Sequence, residues 1–161
     1  MSIEVKVTGE AQLEASIAGA ADRLRAALYK KVTAFGLMLH DKIVRKVTGE
    51  VLNVRSGDLR RSIFTPITQM SGDTITTTTG SSGDVKYAGI WETTGWKAHD
   101  IVPTKAKALR FISGGEVIFA KRVQIPAQAP RPFIKPALAE MVPVVEQGLQ
   151  DAVKEALGGG S

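Results

Sequence analysis

Ten apolar residues between positions 13 and 47 recur at steps of three or four, the spacing of one face of an α-helix. A helix from Glu10 to Val47 would be about 57 Å long at 1.5 Å per residue. This exceeds the width of a domain of 161 residues, so an unbroken helix would pack on a neighbouring subunit. Gly19 and Gly36 disfavour helix relative to alanine, which leaves two shorter helices as the alternative. The ten residues are Leu13, Ile17, Ala21, Leu24, Leu28, Val32, Phe35, Leu39, Ile43 and Val47.

The middle of the chain is patterned as strands. The segment IFTPITQM contains Pro66, which restricts it to an edge or bulged strand, and DTITTTTG is β-branched and polar, as in a half-exposed strand. The segment ALRFISGGEVIFA predicts a β-hairpin whose turn is Gly114-Gly115. We interpret YAGIWETTG, residues 87–95, as a further strand that ends in a loop around Gly95.

Helical patterns lie on both sides of these strands. Ser56 or Asp58 is a candidate cap for a short helix through DLRRSI, and a last helix begins near Pro136 with a kink expected at Pro143. Residues 2–8 alternate loosely and predict a short strand. The order predicts an α+β fold: a long N-terminal helix or helices, an antiparallel sheet of about four or five strands with a GG hairpin, and a kinked C-terminal helix. We expect one domain over residues 1–157 and a flexible Gly/Ser tail at 158–161.

Composition excludes several kinds of chemistry. The chain has no cysteine, which rules out disulfides, zinc thiolate sites and thiol nucleophiles. It has no apolar run long enough to span a membrane and no signal-peptide pattern at its N-terminus, so we expect synthesis in a cytoplasm and no membrane partner. No phosphate-binding loop, metal-binding motif or nucleophile elbow is present, so we predict no cofactor and no enzymatic activity.

The stretch that most resembles a catalytic or metal site holds Glu92, His99 and Asp100. A metal site needs three or four converging ligands, and His40 is the only other imidazole. His99 and Asp100 are adjacent, so in a strand their side chains would point to opposite faces. An acid–base pair would need a second carboxylate at a fixed distance from Glu92, and nothing in the sequence fixes one. We therefore expect His99 to hydrogen-bond a backbone group where a loop meets a strand.

A basic DNA-binding module is the alternative function. The net charge is +5, and Arg55, Arg60 and Arg61 cluster in one predicted loop, with further cations on or beside the hairpin. Trp91 and Trp96 are able to stack on bases. No recognised nucleic-acid-binding signature accompanies them, so this alternative is limited to non-specific contact with phosphates.

Four segments, taken in order, resemble a known family. They are VRSGDLRRSI at 54–63, YAGIWETTG at 87–95, HDIVPTKAKALRF at 99–111 and VQIPAQAPRPFIKPAL at 123–138. Together they are similar to the minor tail-component family of long-tailed phages, the neck or tail-completion proteins of lambda-like siphophages. Two departures are visible. The second motif places Thr93-Thr94 before Gly95 where the family more often has glycine first, and AKRV lacks an insert that some members carry.

The resemblance implies a structural protein of the virion, assembled in the cytoplasm of the bacterial host. Such proteins form a ring at the head–tail junction, with six-fold symmetry as the usual tail symmetry, and help join the tail to the head. The implied partners are further copies of the chain and the tail terminator, tail tube or head–tail connector proteins, with possible non-specific contact to passing DNA. The candidate interface residues are Arg60, Arg61, Trp91, Glu92, Trp96, His99, Arg131, Phe133 and Ile134.

Overall fold

The computed structural model describes residues 10–53 and 56–158. The strand predicted at residues 2–8, Arg55 of the predicted basic loop and residues 159–161 of the Gly/Ser tail lie outside the described residues. Within them the chain is α+β, which confirms the predicted class: a long N-terminal helix, small antiparallel sheets and a C-terminal helix. None of the described helices is both long and apolar enough to cross a membrane.

Helix α1 runs without a break over Glu10–Arg45, so the alternative of two shorter helices is wrong. Gly36 is the reason that the sheet can approach this helix. A Cβ at that position would lie 2.3 Å from Thr77 Oγ1 and 3.0 Å from Pro66 Cβ. The helix therefore keeps a glycine in its interior for close packing rather than for a bend. An irregular turn, Lys46–Glu50, follows α1, and within it Thr48 and Gly49 have non-helical backbone dihedrals.

Helix α2, Asp58–Ser62, is one turn long and follows Gly57, which has a φ of 80°. The residue at its N-cap position is Gly57, which has no side chain, but Ser56 Oγ accepts a hydrogen bond of 3.4 Å from the backbone N–H of Asp58 in the first turn. The Ser56 hydroxyl also donates to the carboxylate of Asp58. That hydrogen bond and a second one from Arg61 hold the pKa of Asp58 below its usual value.

Within residues 10–53 and 56–158, six strands form three separate two-stranded antiparallel sheets rather than one sheet of four or five strands. Strands β1, Ile63–Ser71, and β2, Thr74–Ser81, pack on α1, and the irregular register between Phe64 and Ile67 puts a bulge at Pro66, as predicted. Strands β3, His99–Ile101, and β6, Val123–Ile125, pair over three residues each. Pro103 and Pro126 lie just beyond them and lack the N–H that a longer ladder needs. Strands β4, Leu109–Ser113, and β5, Glu116–Ala120, pair with each other, with Ser113 opposite Glu116.

The strand predicted at residues 87–95 is wrong, because Tyr87–Thr93 form helix α3. Ala88 is buried and Trp91 packs against the same core. Residues three apart share a face in a helix but lie on opposite faces of a strand, so these contacts require the helical conformation. Helix α4, Ile134–Gly158, contains Pro143 in its interior, and the kink expected there stays a prediction.

The core lies where α1, α3 and α4 meet. Its largest fully buried side chains include Ile43 and Phe133, which belong to one cluster with Val47, Ile63 and Ala137. Helix α4 packs against α1 in the antiparallel sense, because Glu140 bonds to Lys42 whereas Gly148 lies against Phe35 seven residues earlier in α1. This arrangement fixes the start of α4 beside α3, where the candidate site lies.

Candidate functional site

The carboxylate of Glu92, in the last turn of α3, caps the N-terminus of α4. Its Oε2 accepts hydrogen bonds from the backbone N–H groups of Phe133 at 2.8 Å and Ile134 at 2.9 Å, and its Oε1 accepts one from Lys135 at 2.9 Å. The first N–H groups of a helix have no partner within the helix and carry its positive dipole end, so an anionic acceptor is stabilised there. Both oxygens of Glu92 thus serve the chain's own fold.

The loop after α3 is joined to the extended segment before α4 through backbone contacts. Trp96 and Gln128 exchange N–H···O bonds of 2.9 and 2.8 Å, and the Arg131 N–H donates to the Trp91 carbonyl at 2.8 Å. Gly95 has a φ of 68°, and a Cβ there would lie 2.2 Å from the Gln128 carbonyl oxygen. Only glycine fits this turn. In this chain glycine follows Thr93 and Thr94, whereas the resembled family more often has the glycine first. The structure shows that this turn requires glycine at position 95.

An aromatic and cationic groove of about 830 Å³ lies beside this junction. The rings of Trp91 and Trp96 meet edge to face with centroids 6.3 Å apart, and the guanidinium of Arg131 lies 5.6 Å from the Trp91 centroid. Arg60 and His99 also line the groove. Among the described lining residues none is Asp or Glu. The groove therefore suits an anionic or aromatic group better than a cationic one.

His99 has the role expected from the sequence. Its Nδ1 lies 3.0 Å from the Lys97 carbonyl oxygen, so the ring donates a hydrogen bond to the backbone at the start of β3. Its neighbour Asp100 bonds to Arg122 next to the short β3–β6 sheet. Over residues 10–53 and 56–158, no cluster of three or more His, Asp or Glu side chains is placed to hold a metal ion.

The nine predicted interface residues divide into four groups. Five line the groove: Arg60, Trp91, Trp96, His99 and Arg131. Glu92 caps α4. Arg61 lies apart from the groove lining and pairs with Asp58 at 2.5 Å. Phe133 is fully buried within the chain, and Ile134 is half-buried against the same core.

An ion cluster that the sequence analysis missed joins α1 to α4. The Glu140 carboxylate accepts hydrogen bonds from Lys46 at 2.6 Å and Lys42 at 2.9 Å. These bonds, with that from Lys46 the stronger influence, lower the pKa of Glu140 to about 2. The available signal was that Lys42 and Lys46 are four residues apart and so share a helix face. Nothing in the sequence paired that face with Glu140.

Comparisons with protein-family models, with curated protein sequences and with solved structures each gave no significant match to this chain.

Proposed function

We propose that this chain is a structural protein of the phage head–tail junction, a neck or tail-completion protein that assembles as a ring and helps join tail to head. The proposal rests on the four sequence segments that resemble this family and on one structural observation. The β4–β5 hairpin exposes large apolar side chains on both of its faces. Contiguous exposed apolar surface of this kind is typical of a protein that is covered by partners.

The hairpin carries a cluster of exposed apolar side chains. Sixteen large hydrophobic side chains are exposed in the described residues, and five of them belong to the ten residues of its two strands. Scattered exposed apolar residues are ordinary, whereas a cluster on one projecting element is not. In an assembled virion, partner subunits would bury these side chains, which no described helix or strand of the chain covers.

The groove gives the proposal a second point of contact. Two tryptophans, two arginines and a histidine line it, and tryptophan and arginine are the side chains most enriched at the centres of protein interfaces. We propose that it receives an acidic or aromatic segment of a tail terminator, tail-tube or connector protein. The localisation that follows is the neck of the virion.

Deleting the gene from the phage or prophage that carries it tests the proposal. We expect lysates that contain DNA-filled heads and separate tails, visible by negative-stain electron microscopy, and infectivity restored by the gene supplied in trans. A supplied copy carrying Trp91→Ala and Arg131→Ala tests the groove, and a copy carrying Ile67→Thr is the control. Normal joined virions from the deletion strain would contradict the proposal.

A basic module that binds DNA non-specifically is the second candidate. The cations Lys105, Lys107, Arg110 and Lys121 are all exposed, beside or on the hairpin. This function predicts duplex binding that weakens steeply as salt rises. Gel-shift titrations at low and physiological salt measure it, and an unshifted duplex at low salt would remove this candidate.

A further inference from the structure

The aromatic and cationic groove keeps its positive charge because the acids around it make their contacts elsewhere. Four acids lie within two residues in sequence of a described lining residue, and none of them lines the groove. Each contacts another partner within the chain: Asp58 with Arg61, Asp100 with Arg122, Glu50 with Lys46, and Glu92 with the backbone at the start of α4. A ligand in the groove therefore meets cations and, among the described lining residues, no competing carboxylate.

Arg60 and Arg131 are the two guanidinium groups of the groove, and both are exposed. Within residues 10–53 and 56–158, neither belongs to an ion pair. A guanidinium binds a carboxylate more strongly than it binds a neutral acceptor, because the hydrogen bond is assisted by both charges. The groove therefore selects an acidic ligand by charge complementarity.

An aliphatic wall lies beside these arginines. Ile125 is opposite His99 in the β3–β6 sheet, and Ile101 is two residues further along β3, so the three side chains share the face that lines the groove. Leu52 and Leu59 add to the aliphatic lining. A small inorganic anion would leave this wall in water, whereas a large apolar side chain would cover it. The groove therefore fits a ligand that carries both an acidic and an apolar group.

The tryptophans favour a protein segment over a strand of nucleic acid. Successive bases stack on open aromatic faces. The Arg131 guanidinium lies over the Trp91 ring, 5.6 Å from its centroid, and the Trp96 ring is inclined at 69° to it. The two rings therefore offer no parallel platform for neighbouring bases. Tryptophan and arginine in this arrangement are typical of the centre of a protein interface.

We infer that the groove binds an acidic protein segment that carries at least one large apolar side chain. Carboxylates of the segment pair with Arg60 and Arg131, and its apolar side chain packs against the tryptophans and the aliphatic wall. The inference rests on the proposed function for the source of the segment, a neck or tail protein of the virion. It narrows the acidic or aromatic segment proposed above to one in which acidic and apolar residues occur together.

Blocked synthetic peptides titrated into the purified chain test this inference. The probe is GDEFDEG, and the comparison peptides are GNQFNQG without charge, GDEADEG without the ring, and GKRFKRG with the opposite charge. Trp91 and Trp96 are the only tryptophans of the chain, so their fluorescence reports on the groove, and calorimetry gives the Kd. We expect GDEFDEG to bind about tenfold more tightly than each comparison peptide or better, and its binding to weaken as salt rises.

Variants of the groove test where the peptide binds. Arg60→Gln and Arg131→Gln should each raise the Kd for GDEFDEG about fivefold or more. Lys154→Gln is the matched control, because it removes one positive charge near the far end of α4 and should leave the Kd unchanged. A chain that carries both Arg60→Glu and Arg131→Glu should bind GKRFKRG in place of GDEFDEG. That exchange of preference also shows that the variant is folded.

Several results would overturn the inference. They are a wild-type chain that does not bind GDEFDEG, equal binding of GNQFNQG or GDEADEG, an unchanged Kd in both glutamine variants, or an oligothymidylate that displaces GDEFDEG and binds more tightly. Each would leave the head–tail role standing, because the deletion strain tests that role separately. Normal joined virions from the deletion strain would remove the head–tail role and leave the binding chemistry of the groove in place.

Discussion

At the scale of single residues, Glu92 acts as a helix cap from 41 positions before Phe133. Its replacement by glutamine keeps the shape but substitutes an NH2 donor for one carboxylate oxygen and removes the charge at the helix N-terminus. We expect Glu92→Gln to lower the free energy of unfolding by about 1–3 kcal/mol, measured by urea denaturation. Glu146→Gln is the control, because Glu146 is an exposed acid on α4 that makes no hydrogen bond within the described residues. Equal stability of the Glu92→Gln variant and the wild-type chain would contradict the capping role.

The capping role could not be read from the sequence, although Glu92 itself was singled out. Its partners are backbone N–H groups, which almost every residue type has, so the amino-acid sequence does not mark them. They also lie far along the chain, in the segment around Phe133. His99 was assigned correctly because a lone imidazole at a loop end has few other roles, and its bond to Lys97 is local. Local contacts were therefore predictable at this site, and contacts between distant segments were not.

At the scale of elements, length decided which predictions held. The apolar pattern of α1 continues over many turns, so only the helical period of 3.6 residues fitted it. Helix α3 has seven residues, about two turns, and its aromatic and β-branched content suggested a strand instead. The three short sheets were predicted as one because the sequence shows strand propensity but not strand order. The prolines at 103 and 126, which limit β3 and β6, are the sequence signal that was overlooked.

The ion cluster between α1 and α4 makes a pH-dependent contribution to stability. The folded-state pKa of Glu140 is about 2, below the ordinary value of 4.5, so its bonds to Lys46 and Lys42 stabilise the fold above pH 4.5. This contribution is lost as the pH falls from 4.5 towards 2, because the carboxylate becomes protonated. We expect Glu140→Gln to reduce stability at neutral pH and to flatten the decline of stability over that range. Denaturant titrations at a series of pH values measure it, with Glu146→Gln as the control, and an unchanged acid decline would contradict it.

At the scale of the whole molecule, the proposed ring links stability to protein concentration. If assembly of the ring buries the exposed apolar side chains of the β4–β5 hairpin, a hundredfold rise in concentration adds about 2–3 kcal/mol per subunit to the free energy of unfolding. For a chain of this size that corresponds to a rise in Tm of about 5 °C or more. We expect this rise between about 1 and 100 μM for the wild-type chain and for Ile67→Thr, by scanning calorimetry.

The variant that carries Ile112→Thr and Phe119→Thr separates the ring from other causes of such a rise. Its hairpin cannot bury the two most exposed apolar side chains of β4 and β5, so its Tm should be the same at both concentrations. A wild-type Tm that does not depend on concentration would contradict the ring itself. A Tm that rises equally in the variant would show that copies associate through another surface, and the aromatic groove around Trp91 would then be the first surface to test.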